Sequence, residues 1–363
     1  MISLYIHIPF CTTKCRYCDF ISWTGQEDYF DTYLDRLLQE LEENSDLCSS
    51  GISTVYLGGG TPTIFGPHRL QHLLSRISLL PGISFGRTEV TIEANPSTLD
   101  KETLEVLADS LVTRISLGAQ SFTSSFLSLL GRSHSPKEIC SAFSACRQLG
   151  IFDINIDLMF ALPGQTLAEW KYDLSSCIDL FPDHISLYNL EVTEGTPLWN
   201  VYHHKEEPAD CIPPLPDNEV EAEMYEYAIN TLLAHGYRQY EISNFSLPGK
   251  ECRHNLTYWT CGEYLGIGTA AHSYIRGKRW SNPPTLSGYL AGISPVEEES
   301  SPEKESLFLG LRLLCGVEKE KFSRYEKTIT SLTKRGLITE TEARIHLTRK
   351  GLFFANEVFR EFV

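Results

Sequence analysis

The chain has 363 residues, 42% of them hydrophobic and 21% charged, enough apolar material for a sizeable core and more length than one core usually takes. One large domain with a smaller one is therefore expected. A formal net charge of −16, with no run of Lys and Arg, argues against nucleic acid as a partner and against adsorption to anionic lipid. Met1 leads almost at once into a strand-like segment without a basic leader, and no stretch of about 18 apolar residues occurs. A cytoplasmic protein without a membrane span is expected, and its eleven cysteines then read as reduced thiols rather than disulfides.

Along the first half, short β-rich runs alternate with amphipathic helical runs. The strands fall at Ile2–Ile8, Thr54–Leu57, Glu89–Glu93, Arg114–Leu117, Asp153–Leu158 and His184–Leu187. Phe30, Leu34, Leu37, Leu38 and Leu41 recur at helical spacing, and further helices are predicted over Pro67–Ser78, Asp100–Ser110, Pro136–Leu149 and Leu167–Leu180. This alternation implies an α/β fold with a parallel sheet and helices outside it. Six repeats are too few for a closed eight-stranded barrel, so a partial (β/α)6 barrel is expected, with its site at the C-terminal strand ends.

Beyond Thr193 the rhythm breaks. The Pro-rich run Cys211–Pro216 precedes a helix over Asn218–His235, an aromatic, strand-like region follows from Tyr237 to Tyr274, and a Pro/Ser/Glu segment over Pro295–Glu305 reads as a boundary. The expected division is therefore 1–295 for the barrel with its extension and 296–363 for a small helical domain. The pattern of that tail, with a turn at Thr348–Gly351 and a helix beyond, is compatible with a winged helix.

Cys11, Cys15 and Cys18 lie directly after the first strand in the spacing Cys-x-x-x-Cys-x-x-Cys. A loop this short can turn three thiolates toward one point, and soft thiolates select Fe–S clusters, Zn or Cu(I). Structural zinc takes four ligands, and the loop offers no fourth Cys or His; His7 is nearby but belongs to the strand. Three thiolates suit a cubane cluster with one iron left open, against a zinc knuckle or unrelated core cysteines. Gly58-Gly59-Gly60-Thr61-Pro62 follows the second strand, where glycines let backbone approach a ligand. No Gly-Lys-Ser/Thr follows, so this is not a phosphate-binding P-loop; taken alone, it reads as a turn.

The run Tyr5-Ile6-His7-Ile8-Pro9-Phe10-Cys11, continued by Cys15-Arg16-Tyr17-Cys18-Asp19-Phe20, resembles the radical SAM superfamily. More narrowly it is similar to the branch holding oxygen-independent coproporphyrinogen dehydrogenases and HemW-type haem chaperones. The resemblance implies a 4Fe–4S cluster on Cys11, Cys15 and Cys18 whose open iron chelates S-adenosylmethionine. In that superfamily, one-electron reduction splits the cofactor into methionine and a 5′-deoxyadenosyl radical. It further implies cofactor-binding roles for Tyr5, Tyr17, Gly59, Gly60, Thr61, Glu93, Gln120, Arg132 and Asp157; of these, Glu93, Gln120, Arg132 and Asp157 each read in isolation as solvated loop residues.

Two departures bear on the branch. Dehydrogenases typically place a further cysteine two residues after the third, where this chain has Phe20, and they carry a longer N-terminal extension. His254-Asn255-Leu256-Thr257-Tyr258-Trp259 matches the His-Asn-x-x-Tyr-Trp motif of the chaperones. Imidazole can ligate haem iron, and the resemblance implies haem binding at His254. The bland alternative is a core histidine in an aromatic cluster, with Cys252, Cys261 and His272 as weaker ligand candidates. The implied function is haem delivery to a client haemoprotein such as a respiratory one, with an electron donor and a homodimer also in keeping with it. The alternative is an oxygen-independent coproporphyrinogen III dehydrogenase of porphyrin biosynthesis.

Overall fold

A computed structural model describes residues 1–150, 153–204 and 212–363, with the backbone alone at His204. Cys211, from the Pro-rich run, lies outside the described residues. Six parallel strands appear where the alternation places them: β1 Ile2–Ile8, β2 Ile52–Gly59, β3 Glu89–Ala94, β4 Arg114–Gln120, β5 Asp153–Phe160 and β6 His184–Asn189. They pair in chain order, and β1 does not pair with β6, so the barrel is open. Strands from the second half extend the same sheet on both sides. Tyr264–Ile267 pairs parallel with β1, and Asn244–Ser246 pairs antiparallel with β6.

Polar and apolar residues alternate along most of each parallel strand, and the two faces differ in kind. Leu4, Ile6, Ile8, Val55, Leu57 and Ile92 are buried on the outer face under the helices. Full burial of such side chains contributes about 1.5–3 kcal/mol each. The inner face is polar: Ser3, Tyr5 and His7 on β1, Thr54 and Tyr56 on β2, Glu93 on β3, Ser116 on β4, Asn155 and Asp157 on β5. The fold thus encloses a hydrogen-bonding lumen inside an apolar shell.

Helix starts follow the local chemistry. Ser135 and Glu138 form a capping box ahead of Pro136–Gln148, Thr166 and Glu169 another ahead of Leu167–Ile178, and the Asp100 side chain accepts from the Thr103 N–H. Each satisfies amides that a helix N-terminus leaves without partners.

The strand-like reading of Tyr237–Tyr274 needs correction at its centre. Arg253–Trp259 is a helix, although Tyr258 and Trp259 favour strands, because Glu89 accepts from the amides of Arg253 and His254 at 3.0 and 2.9 Å. At the expected boundary, Val296–Glu298 is the outermost strand of the main sheet, paired with Lys278–Ser281. The tail is also less purely helical than its sequence suggests: Val317–Glu318, Ile338–Glu340 and Arg344–Leu347 form a three-stranded antiparallel sheet, the wing of the winged-helix-like pattern. Thr348, where a turn is expected, caps a helix over Arg349–Phe353 by accepting from the Gly351 N–H at 2.9 Å.

Candidate cofactor site

The C-terminal strand ends open into a cavity of about 1360 Å³, larger than the roughly 300–1,000 Å³ usual for one small ligand. Cys11, Cys15, Cys18 and Tyr17 line it from the loop after β1; Gly59, Gly60 and Thr61 from the loop after β2; Glu93, Gln120, Arg132 and Asp157 from the strands and loops beyond. Its outer half is walled by Tyr225 and Glu226 of helix Asn218–Ala234 and by Phe353 and Phe354 of the C-terminal unit.

The cysteine loop has little regular structure and is held by individual bonds. Cys11 N–H donates to Trp23 C=O at 2.9 Å, Arg16 N–H to Leu130 C=O at 3.0 Å, and Lys14 Nζ to Phe20 C=O at 2.5 Å. Burial raises the Cys11 and Cys18 thiols above their ordinary range, opposed by the Thr61 hydroxyl at Cys11 and by Lys14 at Cys18. Arg132 Nη1 stands 3.4 Å from Cys15 Sγ while Nη2 donates to Gly118 C=O at 2.6 Å. No three His, Cys, Asp or Glu side chains among the described residues already stand as a metal-holding group. The donor set nevertheless fits an Fe–S cluster: three thiols on one short loop, all facing one cavity, beside a fixed cation.

The glycine loop has its own constraint. Gly59 has φ +107°, and a Cβ there would stand 2.3 Å from the His7 ring; one on Gly60 would stand 2.5 Å from Phe10 C=O. Free of side chains, Gly59 donates its N–H to Glu93 Oε2 at 3.0 Å, and Tyr56 Oη donates to Oε1 at 2.8 Å. Burial, aided by the Asp157 charge, pushes the Glu93 carboxyl up to about 7 despite those two bonds. Asp157 accepts from Ser116 Oγ at 3.0 Å and from Asn155 Nδ2 at 2.8 Å, and burial raises its carboxyl too. Gln120 holds the left-handed conformation at φ +68° where the β4–β5 register shifts, a costly geometry of the kind found at ligand sites. Arg132 Nε and Asn189 Oδ1, both on cavity residues, are buried without a hydrogen-bond partner. A polar ligand in the cavity is what such atoms lack.

Two residues read from the sequence as ligand-binding lie elsewhere. Tyr5 does not line the cavity; its hydroxyl meets His7 Nδ1 at 2.9 Å and its ring stacks on Tyr56 at 6.2 Å. His254 is 1% exposed at the opposite end of the lumen, with Nδ1 2.8 Å from Thr54 Oγ1 and Nε2 2.9 Å from Tyr258 Oη. Burial holds its imidazole neutral, down to about 3. His272 is exposed and pairs with Glu298 at 3.3 Å. Ser116, Asn155 and Tyr56, which position the two carboxylates, were not singled out from the sequence; polar residues at every second place of an otherwise apolar strand are the signal that marks them.

Comparison with known proteins agrees with this geometry. Residues 5–176 match the radical SAM superfamily and residues 304–354 the HemN C-terminal domain. The haem chaperone HemW of Bacillus subtilis is 36% identical over 100% of this chain and 99% of its own length. That of Lactococcus lactis is 37% identical over 99% and 97%, and that of Escherichia coli 32% identical over 100% and 98%. The solved structure of E. coli coproporphyrinogen III oxidase (HemN), a radical SAM enzyme, superposes with a TM-score of 0.84 at 24% identity, covering 99% of this chain and 89% of that one, a likeness of fold. Among the described residues no helix is long and apolar enough to cross a membrane. A 4Fe–4S cluster and S-adenosylmethionine are the cofactors of the superfamily, and haem is the ligand in the relatives' name. With a cysteine triad on the first βα loop and full-length identity above 30%, the chain belongs to the HemW haem chaperone family of the radical SAM superfamily.

Proposed function

We propose that the protein is a cytoplasmic haem chaperone that holds a 4Fe–4S cluster on Cys11, Cys15 and Cys18, S-adenosylmethionine across the strand ends, and haem for a client haemoprotein. The observation that carries the reading is the convergence of three thiols and four polar residues (Glu93, Gln120, Arg132 and Asp157) on one cavity, with Phe20 where a dehydrogenase would have its further cysteine. Cluster and cofactor together supply one-electron chemistry, which asks for an external electron donor. The chain's own part is placement: Glu93 and Asp157 present oxygens to a cationic group, Arg132 offers Nε to an anionic one, and the Gly59–Gly60 backbone admits close approach.

His254 is the proposed haem ligand, and its burial attaches a condition. The helix Arg253–Trp259 must leave the barrel floor, giving up the His254–Thr54 and Thr257–Ser3 contacts and the Glu89 cap on the Arg253 and His254 amides, worth about 1 kcal/mol each. His254 is the helix's buried residue, and a neutral imidazole is the form that binds iron. A second reading, coproporphyrinogen decarboxylation, is favoured by one feature, the spare volume in the outer half of the cavity.

Anaerobic reconstitution, with haem titration and a coproporphyrinogen assay run in parallel, tests both. The expected outcome is a Soret shift on haem addition, lost in His254→Ala, faster hydrogen exchange over 253–259 when haem binds, and no vinyl product. Catalytic vinyl formation would overturn the chaperone reading. A Soret shift unchanged in His254→Ala would move the haem away from that helix.

A further inference from the structure

His7 lies on β1, does not line the cavity, and is 7% exposed. Its Nε2 stands 2.9 Å from the Ile21 carbonyl oxygen on the returning limb of the cysteine loop. A carbonyl can only accept, so Nε2 carries the proton and Nδ1 is left to accept from the Tyr5 hydroxyl at 2.9 Å. The His7 backbone is tied as well, its carbonyl accepting from Tyr33 Oη at 2.8 Å, and Tyr33 in turn accepts from the Thr269 N–H at 2.9 Å. The ring also fills the space that a Cβ on Gly59 would occupy.

One rigid side chain thus touches both loops that form the site. Toward the cysteines it bonds a carbonyl three residues beyond Cys18; toward the glycines it supports the turn whose N–H donates to Glu93. The other anchors on that limb are Lys14 to Phe20 C=O and Ser22 Oγ, and Trp23, bonded to Pro9 C=O and to the Cys11 N–H at 2.7 and 2.9 Å; none of them reaches the glycine loop. We propose that His7 is a positioning residue, a strut that sets the cysteine loop against the glycine loop and so fixes where the cluster stands relative to its ligand. This rests on the reading that Cys11, Cys15 and Cys18 hold a cluster.

The test compares His7→Gln, whose amide nitrogen falls where ring Nε2 stood and still reaches Ile21, with His7→Asn, whose shorter side chain stops at the Tyr5 side. Two readouts are used on the full chain: hydrogen exchange over 11–23 in metal-free protein, and iron content with the reduced cluster's EPR signal, with and without S-adenosylmethionine, after reconstitution. For His7→Asn we expect exchange about fivefold faster or more, reduced iron content, and loss of the cofactor-induced change in the EPR signal; His7→Gln should stay close to wild type in both readouts. Wild-type exchange in His7→Asn, faster exchange with an unaltered cluster, or His7→Gln as impaired as His7→Asn would each overturn the strut. If His7→Asn does not fold, His7→Gln against wild type decides. Wild-type protein that takes up no iron would instead sink the cluster assignment, while the metal-free exchange comparison still judges the strut.

Discussion

The two ends of the lumen close off the same six strands, yet they stand in opposite states. At the N-terminal end, Ser3, Thr54, His254, Thr257 and Tyr258 close on one another and a helix covers them. At the C-terminal end, two carboxylates, an arginine and three thiols face open space. Polarity inside a barrel is therefore not by itself a binding site. What separates a plug from a site here is whether the polar groups face one another or face a cavity that a ligand can enter.

Titration should expose the difference, because the two ends respond to pH with opposite sign. The largest effect is expected from His254→Ala, which leaves a cavity and strips Thr54 and Tyr258 of a partner, at a cost of about 3 kcal/mol in urea unfolding near neutral pH. Its imidazole is held near 3, against an ordinary 6.5, so the stability it lends is present above 6.5 and is lost as the pH falls through about 3. The gap between wild type and variant should shrink by up to about 1.4 kcal/mol per pH unit below 6.5; a gap independent of pH would break the comparison.

Glu93→Gln should do the reverse. Its carboxyl sits near 7 against an ordinary 4.5, so the fold favours the protonated form, and that stability is present below 4.5 and lost as the pH rises through about 7. The variant should gain about 2 kcal/mol at pH 8 and nothing below pH 4.5, while binding S-adenosylmethionine about tenfold more weakly in calorimetric titration. A loss of stability at pH 8 would mean that the open end is as closed as the floor. The smallest effect should come from Phe20→Cys. Phe20 is 66% exposed, so unfolding should move by less than about 0.5 kcal/mol. The added thiol should not confer coproporphyrinogen turnover, and vinyl product would show that one residue separates the two activities.

Much of this was legible in the chain. The six strands and the helices between them announce themselves by period, the helices because one side is buried and the strands because an apolar outer face alternates with a polar lumen face. The gathering of three thiols on one cavity was legible because they are local in sequence. His254 was not: its environment is set by Thr54, 200 residues away, and by the Glu89 carboxylate that nucleates its helix. Arg253–Trp259 looks like a strand from its aromatics, and a tertiary cap overrides that preference. Nor does the place of Tyr5 in a motif reveal that its hydroxyl meets His7 inside the lumen.

Phe353 and Phe354 belong to the C-terminal unit yet face the same space as the cysteines, and Arg349 beside them bonds Glu226 and Asn230 on the opposing helix at 2.9 and 3.0 Å. Whatever fills that space touches both units at once. Occupancy and tail docking are then thermodynamically linked, and the linkage is reciprocal: by the factor that a bound molecule favours the docked tail, the docked tail favours the molecule. On the chaperone reading proposed above, a partner that draws the tail aside would lower the hold on the bound molecule to the same degree and leave the cysteines untouched.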